Sequence, residues 1–206
     1  MIEQAGCLAG TSVVRALTPG DTETVGQVVG RMSERSVYLR FHAGLGGGLK
    51  PRMAAALARV APGSRAVLVA DVDGVPVGLA HVARLVDGSQ AEVALAVADA
   101  WQGRGVGRHL AMAAAQVAHG WGVPCLVAVV LPEHRSLRGW LQRLGAVADP
   151  DDLATLRIPL AAAVRTALGP RTVTDGATVL QWHGAGPGAR SGRGTARGGW
   201  SGRAAG

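Results

Sequence analysis

The sequence predicts a single α/β domain in which a mixed, mostly antiparallel sheet carries helices on both faces. Two turn signals, Asp73-Gly74 and Asp87-Gly88, separate three apolar, strand-like runs and therefore indicate antiparallel hairpins. Between residues 90 and 131, a strand-like run, a run with helical spacing and a second strand-like run follow one another. Hairpins that lead into a strand–helix–strand unit produce a layered, mixed sheet.

The N-terminal third of the chain predicts one strand and three helices. Residues 12–16 are expected to form a short strand. Asp21 is the expected N-cap of a helix that runs to about residue 31, and Ser33 is that of a second helix over 33–42. A loop with four glycines at 44–48 precedes a third helix over 52–60, which Pro62-Gly63 ends.

The middle of the chain predicts the centre of the sheet. The hairpin strands are expected over residues 66–70, 75–86 and 90–98. A helix over 105–119 follows. Its apolar residues recur at helical spacing and would pack on the sheet: Val106, Leu110, Ala113, Ala114, Val117 and Trp121.

The remaining elements are a strand over 125–131, a helix over 135–144 and a strand over 155–160 that closes the sheet. Residues 161–183 include Thr172-Val-Thr174 and Thr178-Val-Leu180, which could form a hairpin beyond the basic fold or a loose extension. We therefore expect an N-terminal lead (1–11) and one domain (12–183) that includes this extension (160–183).

Residues 184–206 are expected to form a disordered Arg/Gly-rich tail. They contain nine glycines, four arginines and no acidic residue, a composition that cannot build a packed core. Such tails can bind nucleic acid. Four arginines in a chain of net charge +7 are equally compatible with a solvated tail, so nucleic acid is not the expected partner.

Composition excludes several other classes of protein. The 206 residues are 48% hydrophobic but only 3% aromatic, so the core must be built from Val, Leu and Ala. No apolar run reaches the ~18 residues of a membrane span, and residues 1–10 do not resemble a signal peptide. We expect a cytoplasmic protein without a membrane partner. Cys7 and Cys125 have neither disulfide nor metal spacing, so no metal is expected.

The most informative segment is Gln102-Gly-Arg-Gly-Val-Gly107, which follows a strand and opens a helix. The first turn of a helix has main-chain N–H groups without internal partners, and these groups bind anions such as a pyrophosphate. Glycine lets the main chain approach the anion closely because it has no Cβ. The segment therefore predicts a site for a nucleotide-like cofactor.

Two common nucleotide motifs do not fit this segment. A dinucleotide fingerprint, G-x-G-x-x-G, would place its third glycine at Arg108 or Leu110, and residues 111–130 contain no acidic residue for the ribose. A P-loop requires Gly-Lys, but Lys50 is the only lysine of the chain.

The pattern Gln-x-x-Gly-x-Gly resembles the acyl-CoA motif of GNAT-type N-acetyltransferases. Residues 91–107 are similar to the central strand and pyrophosphate loop of that family, and residues 131–137 with Leu144-Gly145 are similar to its next motif. Ser36-Val-Tyr-Leu-Arg-Phe41 resembles a segment of one subgroup. That subgroup contains bacterial protein-lysine acetyltransferases and GNAT domains joined to acyl-CoA synthetase-like proteins. The likeness covers roughly residues 12–160.

The resemblance implies acetyl-CoA as co-substrate and assigns several residues. Glu92 is the general base, and Val97 marks the place where the family's strand leaves main-chain groups for the pantetheine arm. His134 stands where the family usually has an asparagine that contacts the cofactor. The pyrophosphate is held by the residues of the glycine-rich turn: Gln102, Gly103, Arg104, Gly105, Val106, Gly107 and Arg108.

The residues around Glu92 favour the same role. Strand alternation puts Glu92 on one face with Ala94 and Ala96, and it puts Val93, Leu95 and Val97 on the other, core face. A lone carboxylate among small apolar residues is expected to hold a proton more tightly than in water, which suits a base near neutral pH. A solvated glutamate at the end of a strand is the alternative.

The general acid is where the chain departs from the family, because its single tyrosine, Tyr38, is not on the helix after the second motif. Ser136, His134 or water must then donate any proton that the leaving thiolate needs. His81 is either a pocket residue or a half-buried structural histidine. Arg40 either meets an acidic group near the target amine or pairs with a core carboxylate.

The predicted function is transfer of an acetyl group from acetyl-CoA to a primary amine, by direct attack and without an enzyme nucleophile. A protein lysine is the preferred acceptor because of the resemblance at residues 36–41. The alternatives are a small-molecule amine acetyltransferase, a non-catalytic acyl-CoA-binding regulatory module, and a nucleic-acid binder that acts through the tail. The sequence leaves the oligomeric state open.

Overall fold

A computed structural model describes residues 11–160, 179–183 and 201–203 of the chain. Its helices are α1 (Thr22–Val29), α2 (Glu34–Phe41), α3 (Pro51–Leu57), α4 (Val106–Gly120) and α5 (Arg135–Arg143). Its strands are β1 (Thr11–Ala16), β2 (Arg65–Val72), β3 (Val75–Arg84), β4 (Gln90–Val97), β5 (Cys125–Val129), β6 (Val147–Ala148), β7 (Thr155–Pro159), β8 (Val179–His183) and β9 (Ser201–Arg203).

In this part of the chain all nine strands belong to one sheet, in the spatial order β6-β7-β5-β4-β3-β2-β1-β8-β9. Only the pair β4 and β5 is parallel, and all other neighbouring strands are antiparallel. Helix α4 makes the crossover between β4 and β5, as the strand–helix–strand pattern predicted. The predicted fold class, a mixed and mostly antiparallel sheet, is confirmed.

Helices cover both faces of the sheet. On one face, α4 and α5 pack over a core that includes Val93, Leu110 and Leu156. On the other face, α1 and the segment after α3 pack over a second core that includes Val25, Val69 and Ala96. Both cores consist almost entirely of Val, Leu, Ala and Ile, as the low aromatic content requires.

The helix starts follow the predicted caps. The Asp21 carboxylate accepts hydrogen bonds from the main-chain N–H of Thr24 (2.9 Å) and from its hydroxyl (2.6 Å). The Ser33 hydroxyl accepts from the main-chain N–H of Ser36 at 3.3 Å. The two bonds from main-chain N–H groups satisfy donors that the first turn of a helix leaves without internal partners.

Several elements differ from the prediction. Strand β3 ends at Arg84 rather than residue 86, because the turn at 85–88 begins earlier. Strand β6 and the pairing of β8 with β1 have no signal in the sequence. Residues 201–203, which were placed in a disordered tail, form β9 on β8. Thr11, the last residue of the predicted N-terminal lead (1–11), begins β1. The rest of that lead, the rest of the tail and Thr172-Val-Thr174 lie outside the described residues.

No helix in the described residues is both long and apolar enough to span a bilayer. The same residues contain no group of three or more His, Cys, Asp or Glu side chains that could hold a metal ion.

Close packing of α4 on β3 predicts that Gly78→Ala destabilises the protein. A Cβ at Gly78 would lie 2.8 Å from Leu110 Cδ1 and 3.2 Å from the Ala96 carbonyl oxygen. Overpacking of this kind is expected to lower the free energy of unfolding by about 1–3 kcal/mol. The matched control, Gly26→Ala in α1, meets open space and should raise this free energy by about 0.5–1 kcal/mol. Urea unfolding of both variants measures the difference, and a Gly78→Ala variant as stable as wild type would contradict the packing.

Candidate active site

A cavity of about 390 Å³ lies where the parallel strands β4 and β5 part. The two strands pair only from Gln90 to Glu92 and from Cys125 to Val127, although β4 continues to Val97. Beyond that point residues 93–95 of β4 and 128–130 of the β5 segment line opposite sides of the cavity. The parting of the strands therefore opens a space inside the sheet itself.

Helices from both faces complete the cavity wall. Helix α4 contributes Arg108, Ala111, Met112 and Ala115, and α5 contributes Leu137, Trp140 and Leu141. From the other side, the end of α2 and its C-cap contribute residues 39–42. The wall is mostly apolar, and its charged residues are Glu92, Arg40 and Arg108.

The glycine-rich turn presents the start of α4 without a cap. Gly103 and Gly105 have φ angles of 71° and 90°, in the left-handed region that favours glycine. No side chain caps the first turn of α4. The ring of His109 donates from Nδ1 to the Gly105 carbonyl oxygen at 2.8 Å, which fixes the turn. The first N–H groups of the helix remain suited to an anion, as the sequence predicted.

The side chains of this turn have different surroundings. The guanidinium of Arg104 lies over the Trp101 ring, 5.4 Å from its centroid. The amide of Gln102 donates within the protein, to the Val97 carbonyl and the Asp99 carboxylate at 3.1 Å each, and it lies 3.1 Å from the Ser36 hydroxyl. In this structure the Gln102 side chain thus ties the end of β4 to the turn and to α2.

Glu92 lies on the wall of the cavity, at the last residue of β4 that pairs with β5. Strand alternation holds as predicted, because Ala96 belongs to the core under α1 whereas Val93 belongs to the core under α4. The Glu92 side chain itself is exposed. The expected desolvation of its carboxylate is therefore not observed, and Glu92 can be reached from solvent.

Arg40 and His81 form a half-buried pair near Glu92. Nη2 of Arg40 lies 3.3 Å from Nδ1 of His81, and Nε2 of His81 lies 3.0 Å from the Leu57 carbonyl oxygen. An arginine can only donate, so His81 accepts at Nδ1, carries its proton on Nε2 and is neutral. Burial, with a smaller contribution from the Arg40 charge, lowers the pKa of His81 to about 4.

His134 and Ser136 lie at the start of α5, outside the cavity wall. His134 is the N-cap residue, and its Nδ1 is buried without a hydrogen-bond partner. Burial, and then the charge of Arg35, lower the pKa of His134 below its usual value, so this ring is neutral near pH 7. Ser136 is exposed on the first turn.

The structure thus brings Glu92 and Arg108 to one cavity, with the rest of the glycine-rich turn at the start of the same helix α4. It does not bring Ser136 there.

The sequence did not indicate the Arg40–His81 bond, which joins residues 41 positions apart on a helix and a strand. It also gave no sign that Trp140 lines the cavity. His81 was expected to be either a pocket residue or a half-buried structural histidine. It is neutral, half-buried and absent from the cavity wall, so it is the structural histidine, although its partner Arg40 lines the cavity.

The neutral state of His81 predicts a pH-dependent stability. Unfolded His81 takes up a proton near its ordinary pKa of 6.5, whereas the folded form stays neutral down to about pH 4. The stability contributed at pH 7 is therefore lost as the pH falls from 6.5 towards 4, by about 1.4 kcal/mol per pH unit. The measurement is the free energy of unfolding by urea at pH 7, 6 and 5, for wild type and for His81→Gln.

The variant should show a shallower pH dependence than wild type, because the other histidines are common to both proteins. Equal slopes in the two proteins would contradict a neutral, half-buried His81.

A family profile and several solved structures match the chain. The profile of the acetyltransferase (GNAT) family matches residues 44–146, half of the chain. No curated protein sequence gives a significant match. The GNAT domain of S. lividans PAT is 26% identical with a TM-score of 0.63, over 70% of this chain and 86% of that chain.

Two further structures share the fold. A cAMP-binding acyltransferase from Mycobacterium smegmatis is 26% identical with a TM-score of 0.51, over 76% of this chain and 46% of that chain. The present chain thus spans about half the length of that protein. The yncA protein from Salmonella typhimurium, solved with its cofactor acetyl-CoA, is 16% identical with a TM-score of 0.55, over 79% of this chain and 96% of that chain.

The strand parting, the uncapped glycine-rich helix start and the family match converge on one assignment. Because the profile covers half of the sequence and the solved structures share its fold, this chain belongs to the GNAT family of acyl-CoA-dependent acetyltransferases.

Proposed function

We propose that the protein transfers an acetyl group from acetyl-CoA to the side-chain amine of a protein lysine, with Glu92 as the general base. One observation carries the proposal: the Glu92 carboxylate lies on the wall of the cavity that forms where β4 and β5 part. The uncapped, glycine-rich start of α4 leads from the same strand. A proton acceptor and an anion-binding turn are thus joined by one short segment of chain.

The residues present fit acetyl-CoA. The free N–H groups at the start of α4, with Arg104 and Arg108 beside them, suit the pyrophosphate. The apolar walls from α4 and α5 suit the pantetheine arm, next to the main chain of β4 up to Val97. The buried Nδ1 of His134, which has no partner in the protein, suits a hydrogen bond to the cofactor. When bound, acetyl-CoA supplies an acetyl group activated as a thioester.

The task of Glu92 follows from the chemistry of the acceptor. A lysine amine has an ordinary pKa of about 10.4 and is an ammonium ion near pH 7, so it must lose a proton before its nitrogen can attack. Glu92 is exposed and faces the cavity, so it can accept that proton from an amine that enters from solvent. The attacking nitrogen belongs to the substrate, and no nucleophile of the enzyme is required.

A second proton is taken up by the leaving thiolate of CoA, and in this proposal it does not come from a side chain of the protein. Ser136 is exposed and lies outside the cavity wall, so its predicted role as an acid has no geometric support. His134 is neutral near pH 7 and is better placed as a hydrogen-bonding group for the cofactor. In this proposal water supplies the proton that the leaving thiolate needs.

Two observations support a protein lysine as the acceptor. The segment at residues 36–41, which resembles that of protein-lysine acetyltransferases, forms most of α2, and its end lines the cavity beside Glu92. The chain is also 26% identical to the GNAT domain of S. lividans PAT over 70% of its length. A small-molecule amine is the competing acceptor, and acyl-CoA binding without catalysis is the competing function.

The general-base role predicts the kinetics of Glu92→Gln. The amide cannot accept the proton, so kcat/KM for a lysine peptide should fall by about 100- to 10,000-fold at pH 7.5. The affinity for acetyl-CoA should not change, since Glu92 is assigned to the amine and not to the cofactor. Release of CoA measures turnover, and calorimetric titration measures binding.

Glu23→Gln, which makes the same change on exposed α1, is the matched control and should retain wild-type activity. A Glu92→Gln variant with wild-type kcat/KM would show that the base lies elsewhere. Binding of acetyl-CoA by a wild-type protein that acetylates no amine would instead favour the non-catalytic module.

A further inference from the structure

Arg40 is a half-buried cation with a buried, unsatisfied donor at the cavity. Its Nε is buried and has no hydrogen-bond partner, and the residue lines the same cavity as Glu92. Burial lowers the pKa of Arg40 from its ordinary value, while the charge of Glu92 acts in the opposite direction. Nothing in the proposed transfer of the acetyl group uses this guanidinium.

No acidic side chain in the described part of the chain neutralises Arg40. The ion pairs in that part of the chain join Arg15 to Asp71 and Arg157 to Asp149. Glu92 is close enough to act on Arg40 through its charge, but the two do not form an ion pair. Partial desolvation of a charge without a counter-ion is costly, so this position favours a ligand that brings a negative charge.

The contacts of Arg40 hold it in place without removing its charge. The neutral ring of His81 accepts one hydrogen bond from Nη2, and the Phe41 ring lies 4.9 Å from the guanidinium carbon. His81 is fixed in turn by its bond to the Leu57 carbonyl. The guanidinium is therefore oriented by neutral groups.

Arg40 lies on the same face of the sheet as the proposed base, Glu92. Its partner His81 pairs with Ala94 in the neighbouring strand, and Ala94 shares a face with Glu92. Helix α4, which starts at the anion-binding turn, packs on the opposite face. An anion held by Arg40 would therefore lie on the same face as Glu92, which the proposed function assigns to the acceptor amine.

We propose that Arg40 determines acceptor specificity by binding a carboxylate that lies next to the target amine. The inference rests on the proposed function and names the class of acceptor. The planar fork of a guanidinium pairs with both oxygens of a carboxylate, and Arg40 still has Nε to offer. The carboxylate can come from an Asp or Glu beside the target lysine, or from a free amino acid.

The charges around α2 and α3 favour an acidic protein segment as the source. Residues 31–65 contain one acidic residue, Glu34, against seven Lys and Arg: Arg31, Arg35, Arg40, Lys50, Arg52, Arg59 and Arg65. The six cations other than Arg40 are exposed. A positive surface of this kind attracts an acidic segment and raises its rate of association.

The test compares two lysine peptides that differ only by Glu or Gln beside the lysine, at saturating acetyl-CoA. Wild type should prefer the Glu peptide by about tenfold or more in kcat/KM, mainly through KM, since a hydrogen bond to a charged group is of that strength. Arg40→Gln should abolish the preference, and Arg40→Lys should keep part of it. Arg143→Gln, which removes an exposed charge on α5 outside both the cavity wall and this positive surface, should keep all of it.

A second arm distinguishes the two sources of the carboxylate. A free amino acid and its carboxamide serve as acceptors in the same assay. A preference for the acid in this arm, with none between the peptides, assigns the site to a small acceptor. A preference between the peptides assigns it to a protein segment.

Three results would count against the proposal. Equal kcat/KM for each acid and its amide in wild type would overturn it without any variant, even if Arg40→Gln failed to fold. In the second result, Arg40→Gln loses activity equally towards both peptides while acetyl-CoA still raises its thermal unfolding midpoint. That result would assign Arg40 to the transfer step and not to acceptor specificity. Failure of wild type to acetylate any acceptor is a different outcome, because it would overturn the proposed function itself.

Discussion

The parallel pairing of β4 with β5 ends at Glu92 and Val127. The site depends on this parting of the two strands, because the cavity forms between them. Parallel strands normally continue side by side so that their main-chain groups remain bonded. Here β4 continues to Val97 without β5, and α4 and α5 on one face and α2 on the other close the space between the strands. The result is a cavity with a strand main chain along one wall, which can bind an extended ligand without an added loop or lid.

The electrostatics of the site follow from where each charged group lies relative to this cavity. Glu92 is exposed, whereas Arg40 is half-buried against the neutral His81. The anion-binding start of α4 lies further along the chain, beyond the end of β4. The proposed base, the Arg40 guanidinium and the proposed anion-binding turn are thus arranged around β4.

The sequence predicted the features that depend on local pattern. Hairpin signals, helix caps and helical periodicity predicted the fold class, and the Gln102–Gly107 turn predicted a glycine-rich helix start at α4. It left open whether Glu92 is desolvated or solvated, because strand alternation gives the face of a residue but not the point at which a neighbouring strand departs; the structure has Glu92 exposed.

The Arg40–His81 bond and the pairing of β8 with β1 were also missed, since both join residues far apart in sequence. Ser136 was considered as an acid because it follows a motif, yet position in a motif does not bring a side chain to the cavity wall. Contacts of this kind depend on tertiary packing, for which a single sequence has no local signal.

The most direct test of the central claim is the thermal unfolding midpoint as a function of acetyl-CoA concentration, with acetyl-pantetheine as the comparison ligand. A ligand that binds only the folded state raises the midpoint with the logarithm of its concentration. The account predicts a rise with acetyl-CoA that is larger than that with acetyl-pantetheine. Gly105→Glu should remove that difference, because it places a carboxylate at the pyrophosphate turn. No rise with saturating acetyl-CoA in the folded wild-type protein would contradict the account.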